Sequence, residues 1–186
     1  MNVYIGIDPG LSGGFAFLGS GPTTIWHLAS MPVIKAKTEG KKTTRRMFDT
    51  QAVLKVFDEG IAAVTGGNET GEVHVCVERP PTVIAGKPIS PSSVASMFHA
   101  VGVLTGIALA RGYGFREVVA AAWKALVLKG IDKSKSNTVL YVKQRFPVTV
   151  SALEAVNADL RSGLADAACI AEYAARTMAL TGEVAL

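Results

Sequence analysis

Cysteine is scarce in this chain, and that excludes a disulfide-built fold. Cys76 and Cys169 are the only two. Each sits in an apolar run (VHVCVE and ADAACIAEYA), where a thiol behaves as a small hydrophobe in a reducing compartment, and neither has the spacing of a zinc site. Charge is also sparse: Asp, Glu, Lys and Arg make up 18% of the residues, too few for a disordered, self-repelling chain. The N-terminus, MNVYIGID, has no basic stretch leading into an apolar one, so it does not read as a signal peptide. It also lacks the Arg- and Ser-rich composition of a transit peptide. The longest apolar run, residues 100–110, is interrupted by Gly and Thr. It falls short of the roughly 20 residues that span a bilayer. These absences predict a soluble, intracellular protein with no membrane partner, although a targeting segment already removed would leave no trace.

What is present is a large apolar fraction. Of 186 residues 49% are hydrophobic, enough for one core, and the length suits one domain over residues 1–186. The net charge of +4 suits a partner with phosphates. Residues 3–8 alternate and are β-branched, so they read as a strand ended by Pro9-Gly10. Residues 13–18 and 23–28 read as two more strands of a meander. Asp49 is placed to cap a helix reaching about residue 59. Residues 73–78 form a central strand ended by Pro80-Pro81, and 82–91 a Gly/Pro/Ser loop. A long helix follows over about 92–111, stopped by Gly112. A strand at 116–120, a helix at 121–128, a helix capped by Ser134 or Ser136 and reaching Arg145, and a last helix over about 162–180 complete the order. Antiparallel strands first, then strands alternating with helices, predict an α/β fold: a mixed five-stranded sheet flanked by helices.

Three acids stand out by their surroundings. Asp8 and Glu78 each end an apolar strand, and Asp166 lies among Leu164, Ala165, Ala167 and Ala168. Burying an acid there is costly unless it is paired or metal-bound. If the two strands are neighbours, their C-terminal ends bring Asp8 and Glu78 together. Close carboxylates raise one another's pKa, and a dication relieves the repulsion. Oxygen-only ligands favour Mg²⁺ or Mn²⁺, and two such ions can drive phosphodiester cleavage. Taken singly, each acid has a plainer reading: Asp8 as a turn residue, Glu78 paired with Arg79 or a helix terminus, Asp166 bonded to a neighbouring helix.

The string Gly6-Ile7-Asp8-Pro9-Gly10, followed by Gly13-Gly14, resembles the opening of RuvC-type Holliday junction resolvases. VCVERP at 75–80 resembles their second acidic motif, and GLADA at 163–167 their C-terminal one. The block from Trp123-Lys124 through Lys133-Ser134-Lys135 to Arg145-Phe146-Pro147 is similar to the branch containing phage-encoded and chloroplast resolvases. The resemblance spans about residues 3–176. It implies a ribonuclease H-like fold, a homodimer, and paired metal-dependent nicking of four-way DNA junctions. It implies Asp8, Glu78 and Asp166 as metal ligands, with two Mg²⁺ or Mn²⁺ ions per site. Lys135, near a helix N-terminus that favours phosphate, resembles the family's active-site lysine, with Lys133 as the alternative. The chloroplast, or a bacterial or phage-infected cytoplasm, follows as the compartment.

One departure stands in the last motif. The family usually carries another acid or a histidine three or four residues before the final aspartate, where this chain has Gly163 and Ser162. Ser162 shares a helix face with Asp166, but a hydroxyl is a poor substitute for a carboxylate. Asp159 would lie about 10 Å along the axis from Asp166 and would serve only if the chain bends.

Lys35, Lys37, Lys41, Lys42, Arg45 and Arg46 fall within twelve residues. They read as a flexible loop contacting the DNA backbone, which gives affinity but no sequence choice; a merely solvated loop is the plain alternative. Lys87, in the loop after Glu78, is a further phosphate contact. The 92–111 helix is apolar nearly all round, so it packs on the sheet on one side and on a second copy on the other, or lies wholly inside a monomer. Three other functions compete with a resolvase: a junction binder that has lost catalysis, a sugar-kinase or actin-like ATPase (disfavoured by the short chain), and a nuclease for RNA–DNA hybrids.

Overall fold

The computed structural model describes residues 1–21, 24–37, 44–68, 71–81, 83–84, 87–132 and 134–178. Strand β1 (Asn2–Asp8) is buried on both faces, as its apolar run requires, and β2 (Gly14–Ser20) and β3 (Ile25–Ser30) complete an antiparallel meander. Strands β4 (Val33–Lys37) and β5 (Thr44–Phe48) form a separate hairpin, and α1 (Thr50–Thr65) follows, capped by the Asp49 carboxylate. β6 (Val73–Glu78) lies parallel to β1. A two-residue pairing of β7 (Val83–Ile84) with β8 (Lys87–Pro88) leads into α2 (Pro91–Ala110). β9 (Gly114–Val118) runs parallel to β6. The helices α3 (Ala120–Val127), α4 (Lys135–Arg145), α5 (Val150–Glu154) and α6 (Ala158–Thr177) close the described chain, with a 3₁₀ turn at Pro147–Thr149.

The main sheet has the order β3-β2-β1-β6-β9, the mixed five-stranded sheet expected. Side chains alternate across it. Val3, Ile5 and Ile7 join Phe15, Phe17, Val75 and Val77 in a core whose helical side is α1 and α2. Tyr4, Ala16, Leu18 and Cys76 join a second core lined by α3, α4 and α6. Cys76 and Cys169 are both buried, and burial pushes the Cys76 thiol up to about 12.

Several boundaries differ from expectation. β9 begins two residues early, because the ladder to β6 starts at Gly114, opposite His74. α6 begins at Ala158, capped by the Asn157 side chain on the Leu160 amide. The short helix α5 was not expected. The basic segment is not a loop along its described length: Val33 pairs with Phe48, and Phe48 is seated in the core, which anchors a hairpin. In α2 only Ala100, Val101, Leu104 and Ala108 are buried. By length and composition that helix is apolar enough to cross a membrane. The expectation from the shorter run at 100–110 missed this, because the helix starts nine residues earlier.

Candidate metal and nucleic-acid site

Asp8 closes β1 and Glu78 closes β6. The parallel register pairs Ile7 with Val77, so the two acids leave the sheet side by side. The turn after Asp8 is tightly built. The Gly10 amide donates to Asp8 Oδ1 at 3.0 Å, and the Gly13 amide donates to the Gly10 carbonyl at 2.8 Å. Gly13 is obligatory here: a Cβ on it would lie 2.2 Å from the Asp8 carbonyl oxygen and 2.7 Å from Asp8 Cγ.

Helix α6 reaches this turn through another glycine. A Cβ on Gly163 would lie 2.2 Å from the Ser12 carbonyl oxygen, whereas a Cβ on Gly6 would lie 2.3 Å from the Ala167 oxygen and 2.1 Å from the Ala171 nitrogen. The helix therefore runs antiparallel to β1, with Gly163 at the turn and Ala171 further back along the strand. Asp166, half-buried between these two contact points, comes to the same end of the sheet as Asp8 and Glu78. Burial raises the pKa of the Cys169 thiol, one turn on, and the Asp166 charge adds to the rise.

Glu78 is held from a direction the sequence did not suggest. Arg79, its neighbour, pairs with Glu117 at 3.0 Å and not with Glu78. The Arg79 amide donates to the Val118 carbonyl at 2.8 Å, which fixes the exit of β6 against that of β9. Helix α3 starts at Ala120 and brings Trp123 alongside. The indole Nε1–H donates to Glu78 Oε2 at 2.7 Å from a fully buried ring. Lys124 Nζ lies 5.0 Å from the centre of that ring. Burial raises the Glu78 pKa; the Trp123 hydrogen bond opposes the rise, the nearby Asp8 charge adds to it, and the Lys124 charge opposes it. Trp123 and Lys124 thus belong to the site. Their signal in the sequence is the resemblance carried by the block that Trp123-Lys124 opens.

Asp8 and Glu78 fit a hard dication: two oxygen donors, close enough that the Asp8 charge disfavours ionised Glu78. Asp166 is at the right end of the sheet, yet among the described residues no three acidic, histidine or cysteine side chains converge closely enough to hold one ion together. Ser162 is 8% exposed, and its Oγ has no hydrogen-bond partner among the described residues. Asp159 stands apart from Asp166. α6 is continuous from Ala158, so the chain does not bend, and Asp159 is exposed in the first turn, away from Asp166.

Lys135 is the first residue of α4, whose N-cap is Ser134; its side chain lies outside the described residues, as does that of Lys87 on β8. Lys133, Lys41 and Lys42 lie outside them entirely. In the β4–β5 hairpin, Lys35, Lys37 and Arg45 are exposed, and Lys35 stands directly opposite Arg46. Like charges in that register repel. Arg46 also turns toward the Asp8 turn, where its guanidinium donates to the Leu11 carbonyl and, at 3.5 Å, to Ser12 Oγ.

No family model matches this chain, and no curated protein matches it either. Among solved structures, RuvC of Thermus thermophilus in complex with a Holliday junction substrate aligns with a TM-score of 0.53 and 16% identity, over 94% of this chain and 95% of that chain. A second Thermus thermophilus RuvC structure gives a TM-score of 0.49 and 16% identity, over 94% and 96%. The fold shared with the first is the ribonuclease H-like mixed sheet with helices on both faces.

Proposed function

We propose that this chain is a divalent-metal-dependent endonuclease that nicks four-way DNA junctions in pairs, a crossover junction endodeoxyribonuclease. The observation that carries the reading is the coupled Asp8–Glu78 pair at the C-terminal ends of two parallel central strands, in a fold shared with a junction-bound RuvC structure. Asp8, Glu78 and Asp166 are the candidate ligands for Mg²⁺ or Mn²⁺, with two ions per site. When bound, such ions would activate water and stabilise the leaving oxygen. The chain's own part is to orient the acids. Gly10 holds one Asp8 oxygen, Trp123 holds one Glu78 oxygen, and Arg46 fixes the turn between Asp8 and β2. Lys124 supplies positive charge beside Glu78, and Lys135, the first residue of α4, is a candidate phosphate contact by the favourable field of a helix N-terminus. Lys35, Lys37 and Arg45 on the hairpin contact the DNA backbone, where a polyanion relieves the Lys35–Arg46 repulsion. Lys41, Lys42, Lys87 and Lys133 extend that cationic set.

The active unit on this reading is a homodimer. α2 leaves Phe98 and Leu109 43% and 52% exposed, and a Cβ on Gly102 or Gly106 would meet nothing within 4 Å. A second copy covering that face would set two sites about a two-fold axis, as opposed cuts require. The deciding test is nicking of a synthetic four-way junction with Mg²⁺ or Mn²⁺, with Asp8→Asn as control. Paired nicks that vanish in Asp8→Asn are expected. Tight junction binding with no nicks in either metal overturns the nuclease reading in favour of a junction-binding protein, and preferential cutting of RNA–DNA hybrids overturns the substrate.

A further inference from the structure

Trp123 is fully buried, and its single polar atom is spent on Glu78. A buried indole N–H needs an acceptor, and a backbone carbonyl would serve a purely structural tryptophan. Here the acceptor is an acid at the end of a central strand, beside Asp8. The contact is also well braced. The β6 exit is tied to β9 by the bond from the Arg79 amide to Val118, α3 begins two residues after Val118, and Trp123 follows in its first turn. With Oε2 engaged by the indole at 2.7 Å, Oε1 is the Glu78 oxygen left to a cation.

We infer that Trp123 is a positioning residue for Glu78: its N–H fixes the carboxylate rotamer so that the acid meets a divalent ion through one preset oxygen. The inference rests on the reading of Asp8 and Glu78 as metal ligands. A carboxylate free to rotate loses side-chain entropy when it binds; one already held by a donor has lost it beforehand. Partners of this kind outside the ligand shell are worth roughly 10–100-fold in metal affinity.

The test is a titration with Mn²⁺ alone, counting free ion by electron paramagnetic resonance, on wild type and two variants. Trp123→Phe keeps an aromatic ring and deletes the donor. The second variant carries benzothienylalanine at position 123, which keeps the two-ring shape with sulfur in place of the N–H. Both are expected to bind Mn²⁺ about 10–100-fold more weakly than wild type, and to lose less than wild type does when Glu78→Gln is added. If the isostere binds as tightly as wild type, the inference is overturned, even where Trp123→Phe is weakened, because packing then explains the loss. If wild type itself binds no Mn²⁺, the metal-site reading falls first and the inference with it.

Discussion

Gly163→Ala tests how α6 is held against the turn behind Asp8. The added Cβ would sit 2.2 Å from the Ser12 carbonyl oxygen and 2.6 Å from Gly13 Cα, where ordinary contacts lie at 3.4–4 Å. Helix and turn must therefore part by more than 1 Å at that point. Overpacking a core by one or two methyl groups costs about 1–3 kcal/mol when side chains can yield. Here both colliding groups are backbone, so the upper end, about 3 kcal/mol, applies. Replacing glycine inside a helix returns about 1 kcal/mol. The net loss of about 2 kcal/mol lowers the melting temperature by roughly 4–8 °C in a domain of this size. Gly102→Ala is the control for helix propensity, since its Cβ meets nothing within 4 Å in its own chain. Differential scanning calorimetry of the three proteins in chelator decides the matter. A Gly163→Ala protein that melts with wild type refutes the close approach of α6 to the turn; a fall in Gly102→Ala reports instead a second copy packed on α2.

Other outcomes follow from the same geometry. Replacing Lys35, Lys37 and Arg45 together by alanine, with Arg46 kept to hold the turn, should lower the slope of log binding constant against log salt by about 2–3 for junction DNA, because each phosphate contact contributes about 0.9; an unchanged slope means the hairpin does not touch phosphates. Phe98→Asp on the open face of α2 should give a folded monomer in sedimentation experiments where wild type is a dimer, melting lower than wild type because the partner subunit no longer stabilises the fold by mass action. The raised Glu78 pKa, from burial first and Asp8 next, means that the folded chain holds the proton more tightly than the unfolded one. Metal-free stability should then fall as pH rises from the ordinary carboxylate range through the folded-state value. Melts in chelator should show wild type and Glu78→Gln converging in acid, with Glu78→Gln higher at neutral pH.

How far the sequence revealed all this depends on how local each signal is. β1 and β6 are apolar on both faces and end in an acid, so position, burial and the neighbouring carboxylates could be read together. The Trp123–Glu78 bond joins residues 45 apart, and nothing in the local pattern of either residue announces the other. The β4–β5 hairpin escaped notice because its alternation is carried mainly by Lys35, Lys37, Arg45 and Arg46; only Val33 and Phe48, at its base, are apolar and turned inward. Helix starts are weakly encoded, so the sequence leaves open a bend near Asp159, whereas the Asn157 cap extends α6 past it without a break. The thin side of the site was visible at Ser162, since a missing carboxylate is a local fact.

Ser162 also allows a test in which metal offsets most of the destabilisation. Its Oγ is buried without a hydrogen-bond partner among the described residues, and a desolvated polar group of that kind costs about 1–3 kcal/mol. Ser162→Ala should therefore be at least as stable as wild type in chelator. Ser162→Asp puts a second negative charge one turn before Asp166, on the same face, at a position only 8% exposed. With nothing to neutralise it, that charge should cost about 3 kcal/mol or more. If a dication sits between β1, β6 and α6, the new carboxylate becomes a ligand. Binding then returns stability by mass action, about 2.7 kcal/mol at a hundred times the dissociation constant. Melting temperatures with chelator and with Mn²⁺ give the comparison. Ser162→Asp should be the least stable of the three proteins in chelator and gain the most from Mn²⁺, and it should cut junctions at a lower Mg²⁺ concentration than wild type. Equal Mn²⁺ gains in wild type and Ser162→Asp would mean that no ion binds within reach of position 162, and the fourth corner of the proposed site would have to be sought elsewhere.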